Sequence, residues 1–312
     1  MSLLLQKTAE PRIQSRTGPG FHLLMAYAYS TLLLFTLLAC RFASVNIPHL
    51  ANLAIGLFFI FAIVFTLAVY WHEKGEMDLR DATLTLPWAV LMAVTLPPLV
   101  VAIAKLDLPL QDAHLARVDD LLGISVPNIT SWSAHHRVGA LVNRTYPLLS
   151  PLLTLSVFLP ALTGKVKNAQ KFVMANLAAF LIGLPLFALL PAIGPWYGYG
   201  FTPTPHQIEC QTALLLFRGE GNPASQLDGI ICFPSFHVIW AIFCVAALWG
   251  FRFLRIPVSL LSGLIIFSTV TTGWHYFIDV LGGIVVAGLS LATAKACAET
   301  RKDPRQLEVR PQ

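Results

Sequence analysis

Two short segments in the second half of the chain hold side chains able to do chemistry. The run Thr271-Thr272-Gly273-Trp274-His275-Tyr276-Phe277-Ile278-Asp279 sets an imidazole four residues ahead of a carboxylate. On a helix these two share a face, so Asp279 can take a hydrogen bond from one ring nitrogen of His275 and leave the other as a lone-pair nucleophile. The run Phe233-Pro234-Ser235-Phe236-His237-Val238 reads as a helix start, because Pro is favoured in a first turn that does not need its N–H. The unused N–H groups of that turn, with the Ser235 hydroxyl, make an anion site of phosphate size. His237 sits one turn in and can give or take a proton near neutral pH. Two imidazoles, one carboxylate and an anion site point to nucleophilic and acid–base chemistry at phosphorus.

The elements that must hold these groups are membrane helices. The 312 residues are 56% hydrophobic and only 12% charged, with a mean hydropathy of +0.68, which excludes a soluble domain. About eight charge-poor windows approach the ~20 residues a span requires. They run approximately over 21–42, 50–71, 83–104, 146–163, 172–193, 233–250, 257–275 and 276–296. The expected fold is an all-α polytopic bundle, divided into a cytoplasmic segment 1–20, N-terminal spans 21–104, a catalytic membrane domain 105–296 and a cytoplasmic tail 297–312. The last two spans follow each other almost without a loop.

With the N-terminus inside, the cytoplasmic segments hold Lys7, Arg12, Arg16, Lys74, Arg80, Lys165, Lys167, Lys171, Arg252, Arg255, Lys295, Arg301, Lys302, Arg305 and Arg310 out of 21 basic residues. That asymmetry follows the positive-inside rule and puts both termini in the cytoplasm. It also accounts for the net charge of +5 without a nucleic-acid partner. The first apolar stretch reads as a retained anchor. The segment 105–145 falls outside and contains the amphipathic run Leu115 to Leu122, expected to lie at the interface over the site. Cys210 and Cys232 share the outer loop 194–232, where an oxidising periplasm would allow a disulfide. No paired Cys/His ligand set calls for structural zinc.

Either motif alone recurs by chance at span ends. Both together, at outer helix ends 38 residues apart, form a constellation that resembles the type 2 phosphatidic acid phosphatase superfamily, with its PSGH and SRxxxxxHxxxD motifs. The counterparts are Pro234-Ser235-Phe236-His237, and Ser268-Thr269 followed by His275 and Asp279. The resemblance covers roughly residues 105–296 and is nearer to the branch of inositol phosphorylceramide synthases, which tolerates a bulky residue at the place of Phe236. The Pro- and aromatic-rich run from Leu190 to Tyr197 fits the same branch. It implies that His275 attacks phosphorus, that Asp279 orients it and that His237 protonates the leaving group, with no metal and no cofactor.

The chain departs from the family pattern twice. The basic KxxxxxxRP motif is not recognisable, and Thr269 stands where the last motif has Arg. Phosphoryl transfer needs positive charge around the equatorial oxygens. Arg218, the only basic residue in the loop leading to Pro234, and Arg144, just before the fourth span, are the candidates to supply it.

The expected function is a lipid phosphatase or phosphotransferase of the bacterial plasma membrane, inositolphosphotransferase-like in the second case. Its site would face the periplasm and work through a phosphohistidine intermediate. The alternatives are a lipid- or proton-coupled transporter without catalysis, or a degenerate family member. A transporter would need ionisable groups along a path through the bilayer centre, and the spans hold few.

Overall fold

The computed structural model describes residues 20–45, 50–219 and 229–299, and every regular element among them is a helix. The expected cytoplasmic segment (except Gly20), most of the tail and residues 220–228 of the outer loop lie outside the described residues. Three long helices come first: α1 (Gly20–Phe42), α2 (Leu50–Glu73) and α3 (Met77–Ala104). Three short ones follow, α4 (Asp112–Leu121), α5 (Val126–His135) and α6 (Arg137–Asn143), and a 3₁₀ turn at Tyr146–Leu148 leads into α7 (Leu149–Leu162) and α8 (Val166–Leu189). The chain finishes with α9 (Pro195–Tyr199), α10 (Pro205–Arg218), α11 (Phe236–Leu248), α12 (Arg255–Thr271) and α13 (Phe277–Glu299).

Among the described residues, six stretches are long and apolar enough to cross a membrane: α1, residues Ile55–Glu73 of α2, α3, Arg137–Leu162, α8 and α13. Of the eight expected spans, the two around the histidine motif are shorter. α11 has 13 residues and α12 has 17. At 1.5 Å per residue α11 reaches only about 20 Å, against about 30 Å of hydrocarbon.

The bundle is built around α8, which packs on α3, α7, α11 and α13. Two-thirds (67%) of its most apolar window is buried, against 6% for α2, so α8 is the axis and α2 lies at the periphery. Small residues on α8, among them Ala169, Ala175 and Ala179, let its neighbours approach closely, as lipid-embedded interfaces require. Large side chains such as Phe187 and Phe243 fill the space between.

The helix ends sort onto two faces. On one, Lys165 Nζ donates to the Gly250 carbonyl at 2.7 Å, tying the α7–α8 turn to the α11–α12 turn. On the other, the C-terminal ends of α3, α8 and α12 meet the N-terminal ends of α7, α11 and α13. The amide of Ser235 donates to the Asp279 carbonyl across that face at 3.1 Å. Both motifs therefore sit on one end of the bundle. A five-residue connection, Thr272–Tyr276, separates the last two helices, longer than the sequence suggests. Gly273, at φ +73°, turns it, and the Thr269 carbonyl accepts the amides of both Trp274 and His275 at 3.1 Å.

Candidate active site

His275 lies in that connection and is 4% exposed. Its Nδ1 is 3.0 Å from the Cys232 carbonyl oxygen and 3.3 Å from Asp279 Oδ2. A carbonyl can only accept, so Nδ1 must carry the proton and Nε2 must hold the lone pair. The tautomer is thus set by two acceptors, one of which never titrates. Burial holds the imidazole down to about 4, against the opposing pull of the Cys232 carbonyl, so the neutral form needed by a nucleophile prevails at ordinary pH.

Asp279 is fully buried, and its Oδ2 collects three donors. These are the Tyr276 amide at 2.9 Å, the Cys232 thiol at 3.1 Å and His275 Nδ1. Its Oδ1 is buried with no hydrogen-bond partner among the described residues.

His237, in the first turn of α11, lies with its ring centroid 5.8 Å from that of His275 at a tilt of 59°. The two rings are thus close enough for one phosphoryl group to reach both. Tyr146 stacks on His237 at 4.3 Å, with its hydroxyl 3.5 Å from Nδ1, and Trp274 stacks beyond it. Ser235 is the N-cap of α11: its hydroxyl accepts from the Val238 amide at 3.4 Å and it is wholly buried, so it shapes the helix start. Pro234 lies one residue before that cap, not inside the first turn.

Neither arginine offered by the sequence lines the cavity that the histidines line. Arg218 ends α10, where it donates to the Leu108 carbonyl at 2.6 Å and pairs with Asp107 at 2.9 Å. His206 at the other end of that helix lines the site cavity, and twelve residues at 1.5 Å each put Arg218 about 18 Å further along. Arg144 is exposed, two residues before Tyr146, and does not line the cavity either. Cys210 and Cys232 are both buried and are not joined in a disulfide: the Cys232 sulfur is turned to Asp279.

Sequence reading missed the brace beneath the site. In α4 the buried residues are Asp112, Leu115, Ala116 and Asp119, one helical stripe two turns long with carboxylates at both ends. Asp119 accepts from the amides of Phe277 at 2.7 Å and Ile278 at 2.8 Å, capping α13 from another helix. Asp112 accepts from the amides of Ile193 and Gly194 and from the Tyr276 hydroxyl at 2.9 Å. Gly198 faces that hydroxyl so closely that a Cβ there would lie 2.2 Å from it. The run expected to lie on the surface thus turns one face inward. Acidic residues falling on the apolar stripe of an amphipathic helix were the available signal.

Burial, opposed by the two α13 amides, raises Asp119 to about 6 from an ordinary 3.8. A raised carboxyl favours the folded protein most below the unfolded value and loses that contribution as pH rises through the folded one. The wild type should therefore lose stability relative to Asp119→Asn between about pH 4 and pH 6. Thermal unfolding of the pair across that range measures this. Parallel curves would remove Asp119 from the account.

A cavity of about 870 Å³ opens from these residues. Tyr146, His206, His237, Trp274, Cys232 and His275 line its polar end. The rest is an apolar cleft between α3, α7 and α8 that runs as far as Leu86 and Phe158, with no Lys, Arg, Asp or Glu in its lining.

The family model described as the PAP2 superfamily matches residues 113–293, from α4 into α13, and leaves α1 to α3 outside. No curated protein and no solved structure matches the chain.

Proposed function

Because this chain belongs to the PAP2 superfamily, whose members act on phosphorylated substrates, we propose that it is a membrane lipid phosphatase or phosphotransferase working through a phosphohistidine at His275. The observation that carries the reading is the double acceptor at Nδ1 of His275, which leaves Nε2 as a lone pair beside a second imidazole. Nε2 attacks phosphorus, the N–P bond forms, and the bond from phosphorus to the lipid oxygen breaks. His237 passes a proton to the departing alkoxide. It then takes the proton of the acceptor, whose oxygen displaces His275 and restores the neutral ring. Water as acceptor makes the protein a phosphatase, and an alcohol such as ceramide makes it a phosphotransferase. The site faces the non-cytoplasmic side.

The apolar cleft supports a lipid as the substrate. Its α7 wall begins beside Tyr146 and reaches Phe158, twelve residues or about 18 Å deeper, enough for one extended hydrocarbon chain. Ala93 of α3 lines it and has room for a larger side chain. Ala93→Phe should raise KM for a long-chain lipid phosphate about tenfold and leave a water-soluble phosphate ester unaffected, the cost of blocking a few methylene contacts. Equal effects on both substrates, or none on either, would place the chain elsewhere. Acceptor identity is read by thin-layer assay of phosphatidic acid, prenyl pyrophosphate and phosphatidylinositol, each with and without ceramide.

A further inference from the structure

We propose that Cys232, His275 and Asp279 form a binding site for one thiophilic divalent cation such as Zn²⁺, whose occupancy shuts the phosphoryl-transfer site. The regulatory half rests on the proposed function, and the binding half does not.

Three independent features point to a cation. The sulfur, a ring nitrogen and a carboxylate oxygen lie within 4.8 Å of one another, with Sγ to Oδ2 at 3.1 Å and Nδ1 to Oδ2 at 3.3 Å. Ligand atoms around tetrahedral zinc stand about 3.3–3.8 Å apart, so the two pairs that share Oδ2 need to open by at most a few tenths of an ångström. Next, Asp279 Oδ1 is buried without a partner, a spare lone pair on the same carboxylate. Lastly, Asp112, Asp119 and Asp279 are buried together, and every hydrogen bond they accept comes from an amide, a hydroxyl, the thiol or the imidazole, never from Lys or Arg among the described residues. Buried carboxylates without a cationic partner are the charge complement of a metal ion.

The sulfur selects the kind of ion. Magnesium and calcium prefer all-oxygen cages, whereas thiolate with imidazole favours zinc or cadmium. The Cys232 thiol donates its proton to Asp279 Oδ2, and a cation binding between the two displaces that proton. Entry is through the cavity, which both Cys232 and His275 line. When the ion takes Nδ1, the ring proton moves to Nε2 and the thiol proton leaves to solvent. The lone pair that attacks phosphorus is then gone.

The test uses the purified full chain in detergent, without substrate. Cd²⁺ alone should produce a thiolate charge-transfer absorbance at one equivalent, and calorimetry should find one Zn²⁺ site. Cys232→Ala should abolish the absorbance, and both Cys232→Ala and Asp279→Asn should weaken Zn²⁺ by about 100-fold. Circular dichroism and size exclusion verify that each variant is folded, and Cys232→Ser, which keeps a donor to Asp279, replaces Cys232→Ala if the latter is not. An absorbance that survives both Cys232 substitutions, or Zn²⁺ affinity indifferent to Asp279→Asn, overturns the site. Phosphoryl transfer that persists with the site saturated overturns the regulatory half. Zinc binding in a metal-free protein that transfers no phosphoryl group would leave the site standing and remove the proposed function instead.

Discussion

His275→Ala abolishes phosphoryl transfer to water or alcohol, with a fall of about 10⁴–10⁶ in kcat, the loss seen when a nucleophile is removed and only binding remains. That is about 5–8 kcal/mol of barrier at 1.36 kcal/mol per tenfold. The variant should still fold. Asp279 Oδ2 keeps the Tyr276 amide and the Cys232 thiol as donors, and the connection keeps the Gly273 turn and both carboxylate braces. The diagnostic measurement is a rapid quench with a ³²P-labelled lipid: wild-type protein retains acid-labile, base-stable label and the variant retains none. Wild-type turnover by a purified, folded His275→Ala protein would end the assignment.

Asp279→Asn lowers the single-turnover rate by about 10²–10⁴, as for other oriented-histidine sites. The structure places this site towards the lower end of that range. In a triad whose tautomer depends on the carboxylate alone, the amide enforces the wrong ring form. Here the Cys232 carbonyl still requires the proton on Nδ1, so the substitution removes mainly the negative charge that stabilises the imidazolium-like phosphohistidine. The amide can place its nitrogen at the unpartnered Oδ1 position and keep its oxygen towards the three donors, so the loss should appear in rate more than in folding. A loss below tenfold would mean that Cys232 alone orients the ring, and one near that of His275→Ala would mean that Asp279 is needed to hold the connection in place.

The two motif histidines and Asp279 were legible because they lie in short runs of the chain. His275 stands two residues ahead of α13 and Asp279 in that helix's first turn, so their nearness along the chain brings them together although His275 is in the connection and not on the helix the spacing suggested. Tyr146 and Cys232 were not legible in this way. Tyr146 reaches His237 across 91 residues, and the role of Cys232 lies as much in its carbonyl as in its thiol, which no residue type announces. The loop containing Cys210 and Cys232 suggested a disulfide, but the sulfur of Cys232 is held instead by a carboxylate from α13. Arg218 looked suited to the phosphate because it is the one cation of its loop. The rigid length of α10 carries it away to Asp107.

By itself the sequence determined that this chain is a helical membrane bundle and that two histidine motifs share one end of it, since hydrophobic length and local spacing are properties of neighbours along the chain. Only the tertiary structure decided which groups surround those histidines: a brace of two aspartates from α4, a carbonyl that sets the tautomer, and a cleft walled by α3 from outside the family match. Each of these joins segments between 43 and 164 residues apart, or helices whose facing sides depend on packing, and no local pattern encodes a contact of that range.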